Sequence, residues 1–66
     1  MAEGIVKSFD EGKKYGFISQ NGGDDVFVHI EALQGGGILS LTTGDRVMYE
    51  LVAGPKGPRA ANVFKL

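Results

Sequence analysis

Two short runs, KKYGF at 13–17 and DVFVH at 25–29, set flat rings at alternate positions and place cations beside the first of them. Side chains of an extended chain alternate between two faces. Tyr15, Phe17 and Ser19 therefore share one face, and Asp25, Phe27 and His29 share one on the next segment. Gly16, Ile18 and Gln20, and then Val26, Val28 and Ile30, take the opposite faces. Ile18, Val26 and Val28 are the natural core set, which leaves Tyr15, Phe17, Phe27 and His29 outside. Adjacent exposed rings mark an interaction surface. Lys7, Lys13, Lys14, Lys56 and Arg59 lie near this strip in sequence, while the acids Glu3, Asp24, Glu31, Asp45 and Glu50 lie mostly elsewhere. Rings for stacking, rimmed by cations for phosphates, are what a single strand of nucleic acid needs, and each stacked base contributes about 1–3 kcal/mol. Because every base has a π-face, such a site tolerates many sequences.

The opposite register, with the rings buried and the aliphatics exposed, is the competing reading of the same residues. Gly16 between two rings suits a crowded or bent core side. A buried His29 would need partners for its ring nitrogens. Both favour the rings outside.

Other chemistries fare worse. The triplet Gly35-Gly36-Gly37 lacks the following Lys-Ser/Thr of a phosphate-cradling loop. Asp24-Asp25 has no third ligand nearby and reads as a turn cap. His29 comes without a nucleophile or oxyanion-hole signature, and Ser8 and Ser19 have no triad partners that sequence can place. With no cysteine and one histidine, cysteine-ligated zinc and iron–sulfur sites are excluded. Neither enzyme activity, a metal nor a cofactor is expected.

The elements that must position the strip follow from composition. Sixty-six residues suit one small domain, 1–66, with a thin core. Eleven glycines and the absence of a long 3.6-period apolar stretch argue against a helical bundle. Five strands are predicted at 4–10, 14–20, 25–30, 46–53 and 59–64, with a helical turn at 31–33 and a rigid proline turn at 54–58. Closing such a sheet into a barrel removes its edges. A five-stranded oligonucleotide/oligosaccharide-binding barrel, an open meander and an SH3-like barrel all fit the pattern. No apolar run approaches a membrane span and no signal segment opens the chain, so a soluble cytoplasmic protein is expected. The net charge of −1 speaks against a nucleic-acid partner only while charges are counted without regard to position.

Lys13-Lys14-Tyr15-Gly16-Phe17-Ile18 resembles the first ribonucleoprotein motif, and Val26-Phe27-Val28-His29-Ile30 the second. With Gly4-Ile5-Val6-Lys7 upstream and the segment GPKGPRAANV at 54–63 downstream, the whole chain resembles the bacterial cold-shock protein family. RNA-recognition domains share the first motif but need two full helices and a longer chain. The resemblance implies an all-β, five-stranded antiparallel barrel that binds single-stranded RNA and DNA. Its members act as RNA chaperones and influence transcription termination and translation. By position it implies stacking by Phe9, Tyr15, Phe17, Phe27 and His29. Lys7 and Lys13 would line the backbone path, Asp25 would accept a hydrogen bond from a base edge, and Lys56 and Arg59 would contribute from the last loop.

The chain also departs from that pattern. Ser8 stands where tryptophan is usual, Asp10 where asparagine is common, and Lys14 where glycine is usual; Ile30 and Ile38 occupy positions that are often aromatic. Losing about 1 kcal/mol at each of the three former ring positions (8, 30 and 38) lowers affinity on the order of a hundredfold. Apolar contact from Ile30 and Ile38 softens that loss. The expected state is a monomer. The alternative is a divergent barrel acting through protein contacts, or through strand-exchanged dimers hinged at the 34–44 loop.

Overall fold

The computed structural model describes residues 1–20, 23, 25–34, 40–55 and 57–66. Most of the predicted turn at 21–24, the glycine triplet at 35–37, Ile38 and Lys56 lie outside the described residues, as does much of the expected hinge at 34–44. Five strands form: β1 (Ala2–Asp10), β2 (Tyr15–Ser19), β3 (Val26–His29), β4 (Arg46–Gly54) and β5 (Gly57–Lys65), with one 3-10 turn at Ile30–Ala32. They close into a barrel in the order β1-β2-β3-β5-β4, the arrangement expected of an oligonucleotide/oligosaccharide-binding barrel.

An odd ring of strands cannot be antiparallel at every contact. Each antiparallel step reverses direction, so five reversals would leave the first strand opposed to itself. β1–β2, β2–β3, β1–β4 and β4–β5 are antiparallel, and the parallel step falls at β3–β5. That seam is narrow, with the register pair Phe27↔Arg59, and the bridge Leu33↔Val63 extends it. The seam crosses the ring strip, and this brings Arg59 to the aromatic residues.

Strand ends differ from the sequence reading by a few residues. β1 and β5 run further because their termini pair with β4: Ala2 with Tyr49 and Lys65 with Val47. The predicted proline turn shortens, since Gly54 pairs with Gly57 and Ala53 with Pro58. Gly57 has φ 125°, a conformation open to glycine alone among common residues. Lys14 leaves the predicted second strand for the preceding turn, and Ile30 leaves the third to open the 3-10 turn.

The interior holds Val6, Ile18, Val26, Val28, Leu41, Val47, Tyr49, Ala60 and Val63, all buried. Each fully buried aliphatic contributes about 1.5–3 kcal/mol. Small β-branched residues dominate because a barrel this narrow leaves little room between facing strands. Tyr49 is the exception in size, and its hydroxyl finds no hydrogen-bond partner among the described residues.

Candidate nucleic-acid interface

β2 and β3 set the strip through their register. Tyr15 pairs with His29 and Phe17 with Phe27, while the interior pairs between them are Gly16 with Val28 and Ile18 with Val26. Ile18, Val26 and Val28 are fully buried, Phe17 is 37% exposed, and Tyr15, Phe27 and His29 are half-buried. The rings therefore stand outside.

They are also organised against one another. The Phe27 centroid lies 5.5 Å from that of Tyr15 and 6.0 Å from that of Phe17, with interplanar angles of 34° and 75°. Tyr15 and Phe17 meet edge to face at 6.5 Å and 86°. Tilted and edge-to-face contacts are the favoured geometries of aromatic pairs. They hold the side chains in place and turn ring faces in different directions. Arg59 sits with its guanidinium carbon 6.0 Å from the Phe27 centroid, within cation–π range. A hollow of about 430 Å³ opens between Phe17 and Phe27 on one side and Pro55, Pro58 and Arg59 on the other. A second, of about 610 Å³, lies across Phe17, bordered by Ser8, Asp10, Lys13 and Tyr15.

β1 reaches this face through a bulge. Val6 pairs with Ile18 and Ser8 with Phe17, so Lys7 is the extra residue. The bulge reverses the alternation after Val6: Ser8 points out beside Phe17, and Phe9 turns inward opposite Gly16. Phe9 is half-buried and packs on the core, and it still lines the hollow it shares with Tyr15 and Phe17. A Cβ on Gly16 would approach the Ser8 carbonyl oxygen and come within 2.6 Å of Phe9 Cα. Glycine there is a packing requirement of the strand crossing. Simple alternation along 4–10 carries no sign of the bulge, although Gly16 is its trace in the facing strand.

The polar residues are more constrained than their sequence suggests. Lys7 Nζ donates to Asp25 Oδ2 at 2.9 Å, so the two are tied to each other across the strip's edge. Both are exposed, and a pair of this kind is worth about 0–1 kcal/mol. His29 Nδ1 accepts the Glu31 N–H at 3.1 Å, capping the 3-10 turn. With Nδ1 accepting, the neutral tautomer that fits this contact carries its proton on Nε2. Asp10 builds the turn before β2: its Oδ1 accepts from the N–H groups of Gly12 and Lys13 at 2.9 and 3.1 Å. Lys13 and Lys14 are exposed just ahead of Tyr15. Ile30 is half-buried in the 3-10 turn, next to His29.

Tyr15, Phe17, Phe27, His29 and Arg59 are thus gathered on one surface, with Lys13 and Lys14 at its Tyr15 end and Lys7–Asp25 along its edge. Ile38 and Lys56 lie outside the described residues. Pro55 and Pro58, a rigid turn in the sequence, also wall the hollow beside Phe17 and Phe27.

Away from the strip, Asp45 Oδ2 accepts the Thr42 N–H at 3.0 Å and meets Lys65 Nζ at 3.3 Å. The Thr42 N–H is the main cause holding this carboxyl below the usual carboxylate range; desolvation pushes up against it, and Lys65 adds a lesser downward pull. Among the described residues no cluster of His, Asp and Glu could hold a metal, and no helix is long and apolar enough to cross a membrane.

Comparison with known proteins agrees with this architecture. The chain is 54% identical over its full length, and that of the relative, to the cold shock protein CspB of Geobacillus stearothermophilus. It is 53% identical to CspB of Bacillus caldolyticus and 52% identical to the cold shock protein CspD of Bacillus subtilis, with both chains fully covered in each case. The family model for the "Cold-shock" DNA-binding domain matches residues 2–66. On the barrel, the motifs and these matches together, the chain belongs to the cold-shock domain family.

Proposed function

We propose that this protein binds single-stranded RNA or DNA on the outer face of β2 and β3 and acts in the cytoplasm as an RNA chaperone or as a regulator of transcription and translation. The observation that carries the reading is the mutually packed trio Tyr15, Phe17 and Phe27 on the outside of a closed barrel, with Arg59 over Phe27. Unpaired bases stack on these rings, His29 Nε2–H donates to a base or phosphate oxygen, and Lys13 and Lys14 attract the backbone. Asp25 reaches a base edge once Lys7 turns to a phosphate, an exchange that the weak, exposed pair permits. The hollow beside Pro55 and Pro58 admits a base against Phe17 and Phe27. With Ser8 rather than a ring beside Phe17, affinity is modest, and the protein favours rapid release over stable coating.

Calorimetric titration of the monomer with a seven-nucleotide oligothymidine or a uridine-rich RNA tests this, since the chain has no tryptophan to report binding by quenching. A saturating isotherm at low salt, weakening by about 0.7 in log affinity per log salt for each phosphate neutralised, is expected. No binding at low salt would overturn the reading.

A further inference from the structure

Lys14 has φ 65°, in the left-handed region that residues with a Cβ avoid. It is fixed there from both sides: its N–H donates to the Asp10 carbonyl at 2.7 Å, and its carbonyl accepts the Ile30 N–H at 2.9 Å. The Asp10 carboxylate shapes the residues just before it. Turn and strand pairing together impose this conformation, and glycine would meet the demand without strain.

Nothing in the fold compensates lysine for being here. The side chain is exposed, and it takes part in neither ion pair among the described residues. Lys7 and Lys65 are neutralised by Asp25 and Asp45. A strained, unpartnered cation immediately before Tyr15 makes sense through what it does for a ligand.

We infer that Lys14 is an affinity-determining residue retained for its charge against a conformational penalty. It is an uncompensated cation at the Tyr15–His29 end of the ring strip that engages a backbone phosphate of the bound strand. The inference rests on the proposed binding function and assigns a role to one residue of that surface. Lys13 has no such strain and demands no such explanation.

Two variants separate charge from strain. Lys14→Gly removes both, and Lys14→Gln removes the charge while leaving the strain. Thermal midpoints are measured alongside binding of a fluorescein-labelled seven-nucleotide oligothymidine across a salt series. Lys14→Gly is expected to melt about 2–6 °C higher. It should also bind about fivefold more weakly at 50 mM salt, with the salt slope reduced by about 0.7. Lys14→Gln should lose the same affinity with little change in midpoint. If the parent binds and Lys14→Gly binds equally well with an unchanged salt slope, the charge has no role and the inference falls. It falls too if Lys14→Gly does not melt higher. A parent that binds no oligonucleotide overturns the functional reading itself, and this inference with it.

Discussion

Turned inward, β2 and β3 present Gly16, Ile18, Val26 and Val28, all buried; turned outward, the same strands present Tyr15, Phe17, Phe27 and His29, exposed or half-buried. The inner surface is aliphatic and small, and its value lies in removal from water. The outer surface carries rings that the fold could bury elsewhere but leaves wet. One alternation thus separates stability from binding at single-residue resolution. A change on one side should move one property and spare the other.

The largest effect belongs to the inner surface. Ile18→Ala empties a fully buried site and should cost about 2–5 kcal/mol of stability, measured by urea unfolding. Whatever fraction stays folded should bind with near-parental affinity.

On the outer surface the pattern reverses. Phe27→Ala removes the ring that contacts both Tyr15 and Phe17 and lies under Arg59. Binding should weaken by about 1–3 kcal/mol, a loss of roughly fivefold to a hundredfold or more. The thermal midpoint should change far less than in Ile18→Ala. A variant that unfolds without a separate binding defect would break the comparison.

How much of this could be read beforehand depends on the element. The β2–β3 faces were legible because both strands alternate without interruption, and Gly16 and His29 argued against the slipped register. The fate of Phe9 was not legible. The bulge at Lys7 reverses the face of everything after it, and a bulge is set by pairing with β2, which local pattern does not report. The parallel β3–β5 seam follows from closing five strands, a property of the whole ring. It is this closure that carries Arg59 and the proline turn to the rings. Lys14 had its charge noticed in the sequence, but its strain appears only once the turn's hydrogen bonds are known.

A smaller change sharpens the inner half of the comparison. Tyr49 buries a hydroxyl without a partner among the described residues, and burial pushes its phenol up from the ordinary value. An unsatisfied buried group costs about 1–3 kcal/mol. Tyr49→Phe keeps the ring and should therefore raise the thermal midpoint by several degrees, with oligonucleotide affinity unchanged.

The smallest effect lies away from both surfaces, at Asp45. Its carboxyl is held below the usual range when folded, so its contribution is present above the unfolded value near 4 and is lost as the pH falls through the folded value. Asp45→Asn should therefore melt below the parent at pH 7, and the gap should narrow progressively as the pH is lowered below 4. A gap independent of pH would show that the Thr42 and Lys65 contacts do not act through charge.

The central claim is that the outer face of β2 and β3 is where a single strand binds. Amide chemical-shift mapping tests it most directly, with ¹⁵N-labelled protein titrated with a seven-nucleotide oligothymidine at low salt. The expected result is perturbation concentrated at Lys13–Phe17, Phe27–Ile30 and Arg59, with Ile5, Phe64 and Leu66 on other exposed parts of the barrel left unmoved. Perturbations centred on Ile5, Phe64 and Leu66, or none at saturating oligonucleotide, would contradict it.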